Sequence, residues 1–309
     1  MDKVLFLSAP LKERIWGGDY FNKTLKVTKS TEKIGEMWSL SAHPEGESII
    51  LNGEYKDLPL SKVYKLYPEV FGCPLSKEFP ILVKLIATSD DLSIQVHPDD
   101  EYARINENQF GKTEGWLILD SLDGSIVIGH NAKDKDELKK YIENDDYDSL
   151  LNKKKVNVGE FYPINAGTVH ALGKNLVILE IQQSSDVTYR VYDYHRKDKF
   201  GKERELHVQK AIDVINYLDV NSETVNYFNS NKKEIELWDN KYFNVKLINV
   251  NGTHFINCDF NYAIVSVATG AVEVEGRTLH QGDSFIITSI ADILTLKGKG
   301  KVTLTTSKI

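Results

Sequence analysis

From residue 234 to residue 309 the sequence is a succession of short strand patterns punctuated by glycine: Phe243-Asn-Val-Lys-Leu-Ile, Ala263-Ile-Val-Ser-Val, Ala271-Val-Glu-Val, Ser284-Phe-Ile-Ile, Ile293-Leu-Thr-Leu and Val302-Thr-Leu-Thr. Many short strands at near-even spacing restrict a chain to a sandwich or a barrel, because each strand must bury one face and pair its edges. The same pattern recurs earlier, over residues 79 to 96, 117 to 119, 125 to 130, 159 to 164 and 176 to 183. Helical spacing intervenes three times. It occurs at residues 58 to 71, where Leu60, Val63, Tyr64, Tyr67 and Val70 recur and Gly72 offers a C-cap, at the charged stretch 135 to 151, and at 207 to 217. Residues 219 to 233, rich in Asn, Ser, Thr and Lys, read as a linker. The expectation is a mainly β protein of two units, residues 1–233 and 234–309, with a few short helices.

Composition narrows the function. A formal charge of -7 disfavours nucleic acid as a partner, since that affinity comes from clustered Lys and Arg meeting phosphates. The longest apolar runs fall well short of the roughly 20 residues that span a bilayer, so no membrane segment is expected. The first residues carry no cleavable leader pattern, which predicts a cytoplasmic protein. Two isolated cysteines, Cys73 and Cys258, support neither a disulfide framework nor a thiolate metal site. Any metal must therefore use His, Glu or Asp.

A weak internal repeat links the two units. Gly159-Glu-Phe-Tyr-Pro-Ile followed by Asn165-Ala-Gly-Thr-Val-His170 has a counterpart in Gly282-Asp-Ser-Phe-Ile-Ile followed by Thr288-Ser-Ile-Ala291. The second copy keeps the turn and the strand but has no histidine, so only the first is expected to hold a metal. The Gly-Asp turn and its spacing resemble the cupin pattern, which implies two cupin-type jelly-roll barrels.

The segment Leu92-Ser-Ile-Gln-Val-His-Pro-Asp-Asp100 carries the most chemistry. Alternation sends Leu92, Ile94 and Val96 to one face and Ser93, Gln95 and His97 to the other. A polar row inside a barrel is costly unless a metal or ligand satisfies it; the plainer alternative is a solvent-facing strand. Glu114 opens the strand after Gly111-Lys-Thr, and His170 lies just beyond a Gly turn. Gln95, His97, Glu114 and His170 together would make a four-ligand N/O site with room for water. Zinc suits such a set, as do Mn, Co and Fe. The remaining histidines, His43, His130, His195, His207, His254 and His280, read as ordinary core or surface residues. Further on, alternation groups Glu180 with Ile178 and Gln182, and Arg190 with Thr188, Tyr192 and Arg196. The fork of Arg190 suits a phosphate, supplemented by Lys84, Lys112 and Arg196, while a structural Glu180–Arg190 ion pair is the alternative.

These residues resemble the type I mannose-6-phosphate isomerases, and their short bacterial branch in particular. Leu92-Ser-Ile-Gln-Val-His-Pro-Asp looks like the family's L-S-I-Q-x-H-P-D, Gly111-Lys-Thr-Glu like its K-[PT]-E, and Ala166-Gly-Thr-Val-His-Ala like its A-G-x-x-H-A. Residues 179 to 194 look like the short branch's own signature. The resemblance implies one zinc ion on Gln95, His97, Glu114 and His170, an active site including Lys112, Glu180, Asp186 and Arg190, and Ser93 and Lys84 near the substrate phosphate. Where the longer enzymes carry R-x-G-x-T-P-K, this chain keeps only the two cations at the same separation, Arg190 and Arg196. Asn165 stands where many members have Pro, and the longer enzymes' helical insert is missing from the pattern, which predicts a more open site.

The reading is an aldose–ketose isomerase acting on a small sugar phosphate, in a monomer or weak homodimer. The base stays open at this point between Glu180, Lys112 and a metal-bound water. Two rival classes are an Fe(II) cupin oxygenase and a non-enzymatic sugar-binding cupin that retains a metal. Gln95-Val-His97 lacks the first histidine of the His-x-His pair common in the former, and the latter has no need of Lys112, Glu180 and Arg190 together.

Overall fold

The protein was analysed as a computed structural model that describes residues 2–198, 200–217, 224 and 226–309. Its eighteen strands form three sheets among the described residues. A six-stranded sheet runs in the order Leu11–Gly18, Ile34–Leu40, Ile81–Ala87, Leu176–Gln183, Glu114–Ser121, Phe161–Ile164. A five-stranded sheet runs Tyr189–Tyr192, Ile94–Val96, His170–Leu172, Ser125–His130, Leu151–Lys155. A seven-stranded sheet comprises Val4–Phe6, Ser284–Ile287, Ala263–Val274, Ile293–Ser307, Phe243–Asn257 and Glu234–Asp239, with Arg277–His280 hairpinned onto Ala263–Val274. Every pairing is antiparallel, as short hairpin-linked strands require. The mainly β, cupin-like architecture is as expected, although the sheets stay separate and do not close into barrels.

Period-two alternation sorts the side chains into four apolar layers. Ile86, Trp116, Ile118 and Ile178 of the six-stranded sheet meet Ile126, Ile128 and Leu172 of the five-stranded sheet. The outer face of the five-stranded sheet, with Ile94, Val96, Val127 and Ala171, is covered by the helices Lys135–Glu143, Tyr147–Leu150 and Val208–Val214 through Leu138, Leu150 and Ile212. The outer face of the six-stranded sheet packs Val83, Leu85, Leu117, Leu179 and Ile181 against Val245, Leu247, Ile264 and Ile286 of the seven-stranded sheet. That last sheet curls over its own core of Val250, Val265, Phe285 and Leu296. At about 25 cal/mol per Å² of apolar surface buried, these layers are the main stabilising term.

Several boundaries differ from the sequence reading. Helix and strand meet inside the expected stretch 135 to 151: Asp145 turns with φ 55°, a short helix follows, and Leu151 begins a strand. The helix Asp100–Asn106 was not anticipated; the Asp99 side chain accepts from the Tyr102 N–H at 2.9 Å and caps it. Leu92 lies before the strand proper and packs between the sheets, whereas Ile94 and Val96 face the helices. The first strand, Val4–Phe6, pairs with Ser284–Ile287, so one strand of the expected N-terminal unit lies in the C-terminal sheet. Of the expected linker, residues 219 to 223 and 225 lie outside the described residues. Both copies of the repeat keep their turn, Gly159 at φ 90° and Gly282 at φ 88°. A Cβ at Gly282 would stand 2.1 Å from the Met37 methyl, which would have to move, and the positive φ strains any other residue there.

Candidate metal centre and active site

Between the two facing sheets the inward side chains change from apolar to ionisable within two residues. Ile86, Ile178 and Ile118 form one cross-strand row of the six-stranded sheet; Lys84, Glu180 and Trp116 form the next, and beyond it Gln182 pairs with Glu114. On the opposite sheet Gln95 is the direct cross-strand neighbour of both His170 and Arg190. The gap between these rows is a cavity of about 330 Å³. Ser93, Lys84, Gln95, Lys112, Glu180, Asp186 and Arg190, all expected from sequence, line it.

At its floor His97, Glu114 and His170 are fully buried, with one ligand atom from each within 4.8 Å of the others. His97 Nδ1 donates to the Val187 carbonyl at 2.7 Å and His170 Nδ1 to the Thr168 carbonyl at 2.8 Å, which leaves a lone pair on each Nε2. The two Nε2 atoms are 3.1 Å apart, and the Glu114 oxygens lie 3.5 Å from that of His97 and 3.4 Å from that of His170. Neither Glu114 oxygen accepts a hydrogen bond among the described residues, although Lys112 Nζ makes an ion pair at 2.8 Å. His97 Nε2, His170 Nε2 and the two Glu114 oxygens converge with Lys112 Nζ, 3.2 Å from His97 Nε2, as the neighbouring cation, and two neutral imidazoles beside a carboxylate are the donor chemistry of a divalent-metal site. Burial, aided by Lys112 and His170, holds the His97 imidazole well below its usual pKa, and burial takes His170 down to about 4. Both rings stay neutral and ready to ligate. Gln95 Nε2 lies 3.2 Å from His170 Nε2, and half a turn of the amide would present its oxygen instead.

The carboxylates around the cavity are sharply differentiated. Glu36 is chelated by Arg14, Nε and Nη2 both at 2.9 Å, and receives the Trp38 N–H at 2.7 Å. Burial works against its charge, but Lys84 and Arg14 prevail and hold its pKa down at about 2. Glu180 is pushed the other way by burial and by the neighbouring Glu114. One of its oxygens takes the Trp116 N–H at 3.0 Å; the other makes no hydrogen bond among the described residues, with Lys84 Nζ 3.4 Å away. Lys84 also lies 3.7 Å from Asp186, and despite its burial these carboxylates and Glu36 raise its pKa. The alternative Glu180–Arg190 ion pair is not formed: Arg190 donates to the Glu205 carbonyl at 2.6 Å.

Arg196 is placed apart from the cavity. It pairs with Asp193 at 2.5 Å and Asp90 at 3.5 Å, donates to the Asp91 carbonyl and stacks on Tyr194, so its guanidinium is committed elsewhere. A register shift between Arg190 and Tyr192 breaks the alternation that grouped them, and the strand ends at Tyr192 before the left-handed residues Tyr194 and His195, so no strand period carries on to Arg196. Arg14, Glu36 and Arg204 line the cavity unpredicted. Glu36 had a legible signal, being the one charged residue in Ile34–Leu40, a strand buried throughout; Arg204 sits on an irregular segment and had none.

Family models agree with this geometry: phosphomannose isomerase type I, catalytic domain, matches residues 4–115, and mannose-6-phosphate isomerase, cupin domain, matches 233–307. Over 293 residues the sequence is 39% identical to a mannose-6-phosphate isomerase of Streptococcus mutans, with 93% of each chain covered. The chain belongs to the type I phosphomannose isomerase family. Another relative, the mannose-6-phosphate isomerase ManA of Bacillus subtilis, is 41% identical over 284 residues, covering 89% of this chain and 87% of its own. A crystal structure of a mannose 6-phosphate isomerase from Bacillus subtilis superposes with a TM-score of 0.92 at 37% identity, covering 99% of this chain and all of the other. Type I phosphomannose isomerases are metal-dependent enzymes, and in this member the buried His97, Glu114 and His170 are the residues that can hold the ion.

Proposed function

We propose that the protein is a zinc-dependent isomerase that interconverts D-mannose 6-phosphate and D-fructose 6-phosphate by moving a proton between C2 and C1 through an enediol. The observation that carries this reading is a closed set of imidazole and carboxylate lone pairs on the floor of a cavity whose walls hold Glu180, Lys112 and Arg190. Zinc fits donors of this kind, with no thiolate among them, and Gln95 extends the set. When bound, the metal polarises the sugar oxygens and offsets negative charge on the enediolate.

The chain's own residues supply the rest. Glu180, whose pKa is raised by burial and Glu114 and whose Oε1 has no hydrogen bond, is poised to accept and return the proton. Trp116 orients it through the other oxygen. Lys112, in contact with Glu114 and 3.2 Å from His97 Nε2, brings positive charge to the sugar oxygens beside the metal ligands. Arg190, next to Gln95, steadies developing negative charge, with Ser93, Lys84 and Asp186 completing the walls. Residues 1–233 would be the catalytic unit and residues 234–309 its support. No helix among the described residues is long and apolar enough to cross a membrane. The protein is read as a cytoplasmic monomer or weak homodimer.

The two-histidine, one-carboxylate set alone also suits Fe(II). What favours the isomerase is the proton-transfer pair beside it and the relatives the chain resembles. A coupled assay for fructose 6-phosphate, run with chelator and after zinc return, tests the reading. Glu180→Gln should retain metal and lose about 10²- to 10⁴-fold in kcat. Full turnover in that variant would move the base elsewhere.

A further inference from the structure

Five cations line the cavity: Arg14, Lys84, Lys112, Arg190 and Arg204. Four of them face carboxylates at close range, Arg14 with Glu36, Lys84 with Glu180 and Asp186, Lys112 with Glu114, and Arg204 with Asp193. Arg190 and Arg204 nonetheless keep guanidinium N–H groups to spare. Arg190 spends Nη1 on a backbone carbonyl, and its Nε is buried with no acceptor among the described residues. A buried guanidinium N–H without an acceptor is costly, and it marks a place built for one. Arg204 donates from Nε to Asp193 Oδ2 at 2.7 Å and from Nη2 to Oδ1 at 2.5 Å. That fork occupies one edge of the guanidinium and fixes its plane, while Nη1 has no committed partner among the described residues.

Asp193 is buried, and the same carboxylate also receives Arg196 at 2.5 Å. One negative charge thus holds two guanidiniums, with Arg190 close enough that Arg204 and Arg196 add to burial in pushing its pKa down. Asp193 is the buried carboxylate among these three guanidiniums, while Asp90 and Glu205, which offset part of their charge, are exposed. The placement also has a direction. Arg190 adjoins Gln95 and so the metal ligands, whereas Arg204 is at the rim with a quarter of its side chain exposed (26%). In a sugar 6-phosphate the anion and the reacting C1–C2 pair are at opposite ends, matching a floor that binds oxygens and a rim that binds charge.

We propose that Arg204 is the phosphate-recognition residue of this cavity, acting beside Arg190, and that Asp193 is its positioning residue. This rests on the isomerase reading for the identity of the sugar, but not for the anion. Arg204→Ala should raise KM for mannose 6-phosphate about tenfold or more with kcat changed only a few-fold, and should weaken inorganic phosphate, measured by calorimetry on the zinc-loaded protein, by a similar factor. Unchanged KM and phosphate affinity, or a fall in kcat alone, would overturn it. If the wild-type protein showed no turnover, the isomerase reading would fail while the calorimetry still decided the anion site. Asp193→Asn should also weaken phosphate, and adding it to Arg204→Ala should cause little further loss; additive losses would refute the positioning role. Should Asp193→Asn fail to fold, Arg204→Ala alone settles the phosphate assignment.

Discussion

Replacing Lys84 by Met tests whether this cavity is held together by charge. Lys84 Nζ lies 3.4 Å from Glu180 and 3.7 Å from Asp186, and it faces Glu36 as well. At an effective dielectric of about 20 the nearer pair alone is worth roughly 5 kcal/mol of attraction, and Lys84's own desolvation cancels much of it. Asp186 is partly solvated and adds less. Removing one partner while the other stays buried costs about 3–5 kcal/mol, because the orphaned charge keeps its desolvation penalty. Glu180 can escape by taking up a proton, so the cost should be smaller at pH 5.5 than at pH 8. Lys84 does not generate that slope. Its pKa is raised in the folded state, so its stabilising share is fully present below about 10.5 and is lost only above that. Thermal melts of metal-loaded protein should show a drop of roughly 5–10 °C at pH 8. Adding Glu180→Gln should recover a good part of it. A loss below about 1 kcal/mol at both pH values, or no recovery in the double variant, would refute the electrostatic account.

Three further outcomes follow from the same residues. His97→Ala and His170→Ala should each lose the bound ion by elemental analysis, and full occupancy in both would move the metal site elsewhere. Arg190→Lys should stay folded and metal-loaded but lose about two orders of magnitude in turnover, since the charge survives while the fork that orients substrate does not; steady-state kinetics read the loss. Glu36 has its pKa lowered to about 2 from 4.5, so its stabilisation, about 3 kcal/mol, is present above pH 4.5 and is lost as pH falls toward 2. Acid unfolding followed by circular dichroism should therefore be flatter between pH 4.5 and pH 2 in Glu36→Gln than in the wild type.

Much of the floor of the site was legible because alternation is a local rule. Gln95, Glu180 and Arg190 each sit on a strand whose period of two can be counted from the sequence, whereas Glu114 stood out at the mouth of a strand and His170 just beyond a Gly turn. What failed was long-range or irregular. The shift in register between Arg190 and Tyr192 is set by pairing with Ile94–Val96, and the left-handed turn at Tyr194 and His195 then takes Arg196 off the strand, neither of which the local pattern announces. Arg204 reaches the cavity from an irregular segment through a buried Asp193, a contact between residues with no shared periodicity. The strand Leu151–Lys155 reads as surface charge because it is a sheet edge, where lysines discourage further pairing. The helix at Asp100 did carry a signal, Asp99 followed by Asp100 and Glu101, but seven residues are too few for a clear apolar face.

The pairing of Val4–Phe6 with Ser284–Ile287 imposes an order on biosynthesis. Val4–Phe6 leaves the ribosome on the order of tens of seconds before its partner at about 5–20 residues per second. Meanwhile the outer face of the six-stranded sheet, with Val83, Leu85 and Leu179, has no cover, since its partners Val245, Leu247 and Ile264 are also made late. The nascent chain thus carries an uncapped apolar sheet from the completion of Leu176–Gln183 until the covering strands arrive, a natural substrate for chaperones.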